Sequence, residues 1–449
     1  MFRVNNKNYI YNTLSCGFGE LDHKALVLLT KIKQSEGYMP SEKDVSLVTK
    51  LIQGSIVVPE KTDEINLLKF LSYKRRFSDS YKIISLTIVP TLDCNFRCSY
   101  CFQNHQQTTD SDYMSEEIQQ AIIHYTDLRA KNEAKRISVC WYGGEPLLAS
   151  DIIERLTKRF LKISKKYDIP YDASMVTNGY LLDEKRIEML KKWRINDLQI
   201  TIDGPREIHD RRRFLVSGKP TYDTIIQNIC SITKEKEFPN VTLRVNVDVS
   251  NEHYIDDLID DLDRNHLMDK LGVYLAPVTS TTKSCGDISK ILFSSKEMIE
   301  KDIRFVKTLI DKDLVVTMHY PKMSVTQCMA VCPESDLIGP DGKLWPCWDV
   351  IGRNEESTGN IKTGHVYGDT YFKWCLWDPF QDEECLDCKV LPICMGGCPA
   401  RRVPLNQEYF TAVFQKKCSR WRWGMEEYLK LIIELYEKKM SKAKTDEKK

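Results

Sequence analysis

No charge of one sign dominates this chain: 65 Lys and Arg stand against 64 Asp and Glu in 449 residues. A balance that close gives no field to draw in nucleic acid or an anionic membrane surface. No apolar run approaches the roughly 20 residues that span a bilayer. The start, Met1-Phe2-Arg3-Val4-Asn5-Asn6-Lys7, lacks the basic segment and apolar core of a signal peptide. No internal repeat of about 20–50 residues is present. The expectation is a cytoplasmic protein of two or three domains, with no nucleic-acid or membrane partner.

What the chain has in excess is cysteine. Sixteen thiols are many for a compartment where disulfides seldom persist, and they cluster: three at 94–101 and eight, Cys375 apart, between 328 and 418. Clustering favours metal ligation over random usage. The scattered five, Cys16, Cys140, Cys230, Cys285 and Cys375, read as small buried hydrophobes or inert thiols, with Cys285 and Cys375 nearest the proposed sites.

The first group sits in Thr91-Leu92-Asp93-Cys94-Asn95-Phe96-Arg97-Cys98-Ser99-Tyr100-Cys101-Phe102, directly after an apolar stretch. Cys-x3-Cys-x2-Cys offers three thiolates to a four-iron cube and leaves one iron open to a small molecule. Structural zinc usually closes all four positions with two separated cysteine pairs, so this spacing suits it poorly. At this run the chain resembles the radical S-adenosylmethionine (SAM) superfamily, and Phe102 after the third cysteine fits that pattern.

From residue 83, apolar β-branched runs at 83–90, 136–141, 171–177, 197–203, 241–249 and 272–278 alternate with helical stretches at 115–131, 151–166, 183–193, 222–235, 253–265 and 296–311. Six such units predict an α/β fold: a partial (β/α)6 TIM-type barrel over 81–312. The unusual residues fall at the strands' carboxyl ends, the face on which such barrels build active sites. There, by the resemblance, Gly143 and Gly144 would turn the backbone so that carbonyls receive the SAM ammonium, and Glu145 would lock the turn. Thr201 and Asp203 would bond ribose hydroxyls, and Asn178 faces the same mouth. Arg213 or Arg244 would pair with the methionine carboxylate. Plainer roles stand beside these: Asn178-Gly179 as a turn, Asp203 as a cap. His209 and Asp210 read as loop-holding residues.

Residues 1–80 read differently. A hairpin from 2–4 and 9–14, helices at 21–33, 41–53 and 63–76, and a wing strand at 55–58 make a winged-helix-like composition. It is similar to the peptide-recognition domain of enzymes that modify ribosomally made peptides, which adds the precursor's leader as a strand along its sheet edge. A simple cap over the barrel is the alternative.

After the barrel, 314–320 leads into a cysteine-rich region over 313–420. Its pattern, Cys328-x3-Cys332, Gly342-x4-Cys347, Cys385-x2-Cys388-x5-Cys394-x3-Cys398 and Cys418, resembles the SPASM auxiliary-cluster extension, with either Cys328 or Cys332 as first member. By that resemblance Cys328, Cys332, Cys347 and Cys398 would hold one auxiliary cluster, and Cys385, Cys388, Cys394 and Cys418 a second. In some relatives the first keeps an open iron, which puts Cys328 in question. From 421 to 449 a helix with Trp423, Met425, Tyr428, Leu431 and Ile432 on one face precedes a charged tail, expected to be disordered from 441.

The resemblance implies three [4Fe–4S] clusters and SAM, a 5′-deoxyadenosyl radical, and a cross-link, such as a thioether, installed in a ribosomal precursor peptide. A flavodoxin or ferredoxin would be the reductant. The rival within the family is an anaerobic sulfatase-maturating enzyme, where an Asp directly follows the Gly-x4-Cys cysteine as base. Here Trp348 stands in that place and Asp349, the candidate base, comes one later. A rival of another class is a non-catalytic, zinc-containing peptide-binding scaffold.

Overall fold

The computed structural model describes residues 1–35, 37–101, 103, 113–132, 134–235, 239–279, 288–314, 320–326, 328–333, 335–404 and 418–446. Phe102, Cys285 and most of 314–320 lie outside that set.

The amino-terminal region is an antiparallel sheet of β1 (Phe2–Val4), β2 (Lys7–Tyr11) and β3 (Phe18–Leu21), in that order, with helices α1 (His23–Gln34), α2 (Val45–Gln53) and α3 (Glu64–Phe77). Leu21, Ala25, Leu28, Leu29 and Leu51 form its core. The expected wing at 55–58 is not a strand. Ser55 adopts φ +56°, and the Ser55 and Ile56 amides close the end of α2 on Ile52 O and Leu51 O. Backbone spent on a helix end cannot pair in a ladder, and the third strand comes from Phe18–Leu21 instead.

Six parallel strands follow in sequence order: β4 (Ile83–Ile88), β5 (Arg136–Trp141), β6 (Tyr171–Thr177), β7 (Ile195–Thr201), β8 (Asn240–Val247) and β9 (Gly272–Pro277). Helices α4 (Glu116–Lys131), α5 (Ser150–Tyr167), α6 (Glu184–Lys192), α7 (Arg206–Arg212), α8 (Tyr222–Ile232), α9 (Ile255–Arg264) and α10 (Ser295–Asp311) connect or follow them. The strands are sealed on one face, where Ile84, Ile88, Ile137, Trp141, Ile200, Leu243, Val245 and Val247 share one core. The alternate residues of β5 and β6, such as Ser138, Cys140, Asp172 and Ser174, are only half-buried, so the runs are not buried on both faces as continuous apolar stretches would be. Local signals start the helices: Ser115 and Asp183 cap α4 and α6, and Ser294 with Glu297 forms a capping box on α10.

The barrel does not close. The free side of β4 is taken by β10 (Ser335–Ile338), which runs parallel to it with Ser335 opposite Ser85 and Ile338 opposite Ile88. Strands β11 (Lys343–Trp345), β12 (Gly359–Asn360) and β13 (Gly364–His365) extend the same sheet antiparallel. Short helices α11 (Asp369–Cys375), α12 (Glu383–Leu386) and α13 (Leu391–Cys394) carry the later cysteines, and α14 (Trp421–Asp446) lies along α10. At Gly424 a Cβ would stand 2.2 Å from Ile299 Cγ1, so glycine sets that close approach. Helix α14 continues past 441, where the charge predicts disorder, to Asp446, since Lys and Ala favour helix and charge alone does not end one.

Among the described residues no helix is long and apolar enough to cross a membrane.

Candidate active site

The loop after β4 carries Cys94, Cys98 and Cys101. Three main-chain bonds strap it to the segment after α7: Arg97 N to Phe214 O at 2.9 Å, Val216 N to Asn95 O at 2.9 Å and Ser99 N to Arg212 O at 3.1 Å. Phe96, 1% exposed, anchors the loop in the core. Burial pushes the Cys94 thiol up to about 12, and Glu145 adds to the rise. Cys98 is also raised by burial, while the Arg213 guanidinium pulls the other way. Bare, these are neutral thiols; binding to a metal removes their protons.

The turn after β5 depends on two glycines. Gly143 has φ +139°, and a Cβ there would meet Thr91 O at 2.4 Å; at Gly144 it would meet Asp93 O at 2.1 Å. The turn therefore lies directly against the cysteine loop. Glu145, fully buried, ties it to the end of β6 by accepting from Leu147 N at 3.0 Å, Thr177 Oγ1 at 2.8 Å and Asn178 N at 2.8 Å. Gln103 Nε2 donates to Gly143 O at 3.1 Å.

Behind the opposite wall lies a buried charge network. The Asp203 carboxylate, 0% exposed, accepts from the Tyr100 hydroxyl and from Asn246 N at 3.1 Å, with Arg212 Nε 3.6 Å away. Arg212 also pairs with Asp248 at 2.9 Å, and Arg213 Nη1 donates to the Tyr100 hydroxyl at 2.8 Å. His209 is driven far down by burial and by Arg213 and Arg212, so it is neutral. Its Nδ1 accepts from Asp203 N at 3.3 Å, and Asp210 caps α8 through Thr221 N and Tyr222 N. The sequence reading assigns no role to Tyr100, Arg212 and Gln103, and places Asn246 and Asp248 at a strand's carboxyl end without giving them one. Of the first three, Tyr100 alone carried a signal, an aromatic inside the cysteine run.

Cys94, Cys98, Cys101, Gly143, Gly144, Asn178, Thr201, Arg213, Arg244 and Asp349 line one cavity of about 230 Å³. Glu145 and Asp203 are not on its surface: both are sealed behind it, their oxygens occupied by protein donors. Asp349 arrives from the cysteine-rich region, on the turn after Cys347, and Trp348 packs on Tyr142. Burial raises the Asp349 carboxyl, against Arg401, Arg244 and Arg353.

A second cavity of about 380 Å³ shares Arg244 and Pro277 to Thr279 with the first and extends to Cys398 and Cys418. Beyond burial, Cys328 and Cys398 lie close enough to help raise the Cys347 thiol, and Cys398 and Cys332 act likewise on Cys328. Cys332 sits at the edge of this group, its Sγ 3.8 Å from Thr326 Oγ1 and facing Arg76. Cys385, Cys388, Cys394 and Cys418 surround one small hollow.

Residues 88–262 match the Radical SAM superfamily. That match runs from the end of β4 into α9, most of the barrel. Across nearly the whole chain it is 22% identical, over 434 residues, to the radical SAM cyclopropyl synthase TigE of Paramaledivibacter caminithermalis, covering 88% of this chain and 86% of that one. It is 25% identical over 371 residues to a cysteine-type anaerobic sulfatase-maturating enzyme of Clostridium novyi, covering 76% and 96%. Among solved structures, anSMEcpe with bound AdoMet and Kp18Cys peptide shares the fold at TM-score 0.61 and 19% identity, over 79% of this chain and 98% of that one. Streptococcus suis SuiB bound to precursor peptide SuiA does so at 0.52 and 15%, over 91% and 98%.

A radical SAM domain implies one [4Fe–4S] cluster and SAM, and the cavity fits both. It has three thiols at one end and a glycine cradle that no Cβ could enter. Arg213 Nε and Asn95 Nδ2 are buried there without a hydrogen-bond partner among the described residues.

Proposed function

We propose that this chain is a peptide-modifying radical SAM enzyme that installs a cross-link, such as a thioether, in a ribosomally made precursor peptide. The observation that carries the reading is the run of two joined cavities, from the first cysteine trio past Asp349 to Cys398 and Cys418. A hollow of that shape suits a peptide whose reacting carbon lies between a radical source and an electron acceptor.

Cys94, Cys98 and Cys101 would hold the SAM-binding cluster. Bound there, cluster and SAM supply reductive cleavage to methionine and a 5′-deoxyadenosyl radical that abstracts hydrogen. The protein's own work is placement. The Gly143-Gly144 turn offers carbonyl oxygens to the cofactor's ammonium, and Gln103 steadies that turn. Arg213, braced by Tyr100, and Arg244 are the two cations available to a carboxylate. Asn178 and Thr201 would contact the adenosine. Asp203 acts from behind by fixing Tyr100 and Arg212, a positioning role rather than a contact with ribose. Asp349, buried and raised, would take the proton released when a new bond forms.

Cys328, Cys332, Cys347 and Cys398 would hold a first auxiliary cluster, and Cys385, Cys388, Cys394 and Cys418 a second, giving three in a SPASM-like region. The amino-terminal sheet would bind the precursor's leader along a free edge, and a flavodoxin or ferredoxin would supply the electron. Cytoplasmic residence suits such clusters.

Sulfatase maturation remains the second reading, favoured by Asp349 reaching the cavity despite its shifted place in sequence. The SuiB fold extends over 91% of this chain against 79% for anSMEcpe, which supports the first.

The test is anaerobic incubation of the reduced protein with SAM and, in turn, any short peptide found encoded beside its gene and a sulfatase-derived peptide. Cross-linking predicts 5′-deoxyadenosine together with a loss of two hydrogens from the peptide. Formylglycine in a sulfatase-derived peptide would favour the second reading, and SAM cleavage with both peptides unchanged would refute the two together.

A further inference from the structure

One buried cation has no part in the chemistry above. Arg76, in the last turn of α3, is 2% exposed and forms no ion pair among the described residues. Its guanidinium donates to three carbonyls: Nε to Val331 O at 3.1 Å, and Nη2 to Cys375 O at 2.5 Å and Trp377 O at 2.9 Å. Val331 stands between Cys328 and Cys332. Asp378, the carboxylate whose charge acts on Arg76, accepts hydrogen bonds from Tyr73 and from Phe380 N, each at 2.8 Å. The rings of Phe77 and Tyr73 lie 5.0 and 6.0 Å from the guanidinium. Burying a full charge among carbonyl dipoles is costly unless an opposite charge lies close by. The Cys332 and Cys375 thiols both feel this cation.

We propose that Arg76 is a positioning residue for the first auxiliary cluster: it fixes the Cys328–Cys332 loop through its carbonyl contacts, and its charge holds that cluster's reduction potential up. This rests on the assignment of Cys328, Cys332, Cys347 and Cys398 to a cluster. A cube with thiolate ligands is an anion, and one-electron reduction adds a negative charge without making or breaking a bond. A fixed cation beside it favours the reduced form. Because α3 belongs to the amino-terminal region, that region reaches into the setting of the electron acceptor.

The test is a redox titration, followed by paramagnetic resonance, of the full-length, anaerobically reconstituted protein with its iron counted. The wave of interest is the one missing from Cys347→Ala. In Arg76→Met the iron content stays at the wild-type level, while this wave moves to lower potential. At fixed ambient potential its reduced-to-oxidised ratio falls at least tenfold, a shift of about 59 mV for one electron. Arg76→Lys, which keeps the charge, holds the ratio within about threefold. Asp378→Asn, which removes the negative charge that acts on Arg76, moves the same wave upward and decides the matter should Arg76→Met not fold. A wild-type protein with only about four irons would remove the cluster assignment, and the inference with it. A full iron complement with every wave unmoved in Arg76→Met and Asp378→Asn would overturn the inference alone.

Discussion

The rings of Tyr142 and Trp348 lie 4.3 Å apart at 38°, joining the end of β5 to the loop that carries Asp349. Such a contact is worth on the order of 1 kcal/mol beyond area burial, and here it sets where a carboxylate enters the cavity. Trp348→Ala is expected to leave peptide-independent 5′-deoxyadenosine formation within about twofold. Peptide turnover should fall at least about tenfold, a loss of ~1.4 kcal/mol in the transition state. Equal losses in both rates would contradict this.

Iron counting separates the three cysteine sets. Cys98→Ala should lose about four irons together with SAM cleavage, and Cys394→Ala about four irons while SAM cleavage persists. Unchanged iron in Cys394→Ala would remove the second auxiliary assignment.

The glycine cradle makes a steric prediction. A methyl group at Gly144 would stand 2.1 Å from Asp93 O, and main chain yields little. Gly144→Ala should cost about 1–3 kcal/mol, read as at least about fivefold weaker SAM binding in equilibrium dialysis. Wild-type affinity would show that the two loops can separate.

Asp302, buried beside Arg420 at the α10–α14 contact, is pushed up to about 6 from an ordinary 3.8; burial outweighs the ion pair. A carboxyl raised in the fold contributes stability below its unfolded value and loses it as pH rises through the folded one. The loss amounts to about 3 kcal/mol between about pH 4 and pH 7. Asp302→Asn lacks this titration, so the melting-temperature gap between the variant and wild type should change across that window and level off above it. A constant gap would refute the assignment.

If a leader peptide adds to β3, a proline there should block it. Successive amides of an edge strand point alternately inward and outward. One of Gly19→Pro and Glu20→Pro should therefore weaken precursor binding at least about tenfold in fluorescence anisotropy, with SAM cleavage in its absence unchanged. Full binding by both variants would place the leader elsewhere.

The barrel was legible because a strand with one sealed face carries apolar residues at alternate positions between turn residues, as Ile137, Val139 and Trp141 do. The observed limits Arg136–Trp141 and Tyr171–Thr177 are those the pattern predicts. Short edge strands leave no such trace, and Phe18-Gly19-Glu20-Leu21 looks like a loop. Site residue types were visible at strand ends, but their direction was not. Asp203 and Thr201 are two residues apart, yet one is sealed behind the wall and the other faces the cavity. The Tyr100–Arg212–Asp248 network is assembled from two loops and the end of α7, and only folding reveals that they meet.

The strand β10 makes the cysteine-rich region and the barrel a single folding problem. Cutting the chain before Ser335 would strip β4 of a neighbour and leave a row of unpaired amides beside the cysteine loop. The carboxyl-terminal region therefore cannot be removed as a module without another cover for that edge.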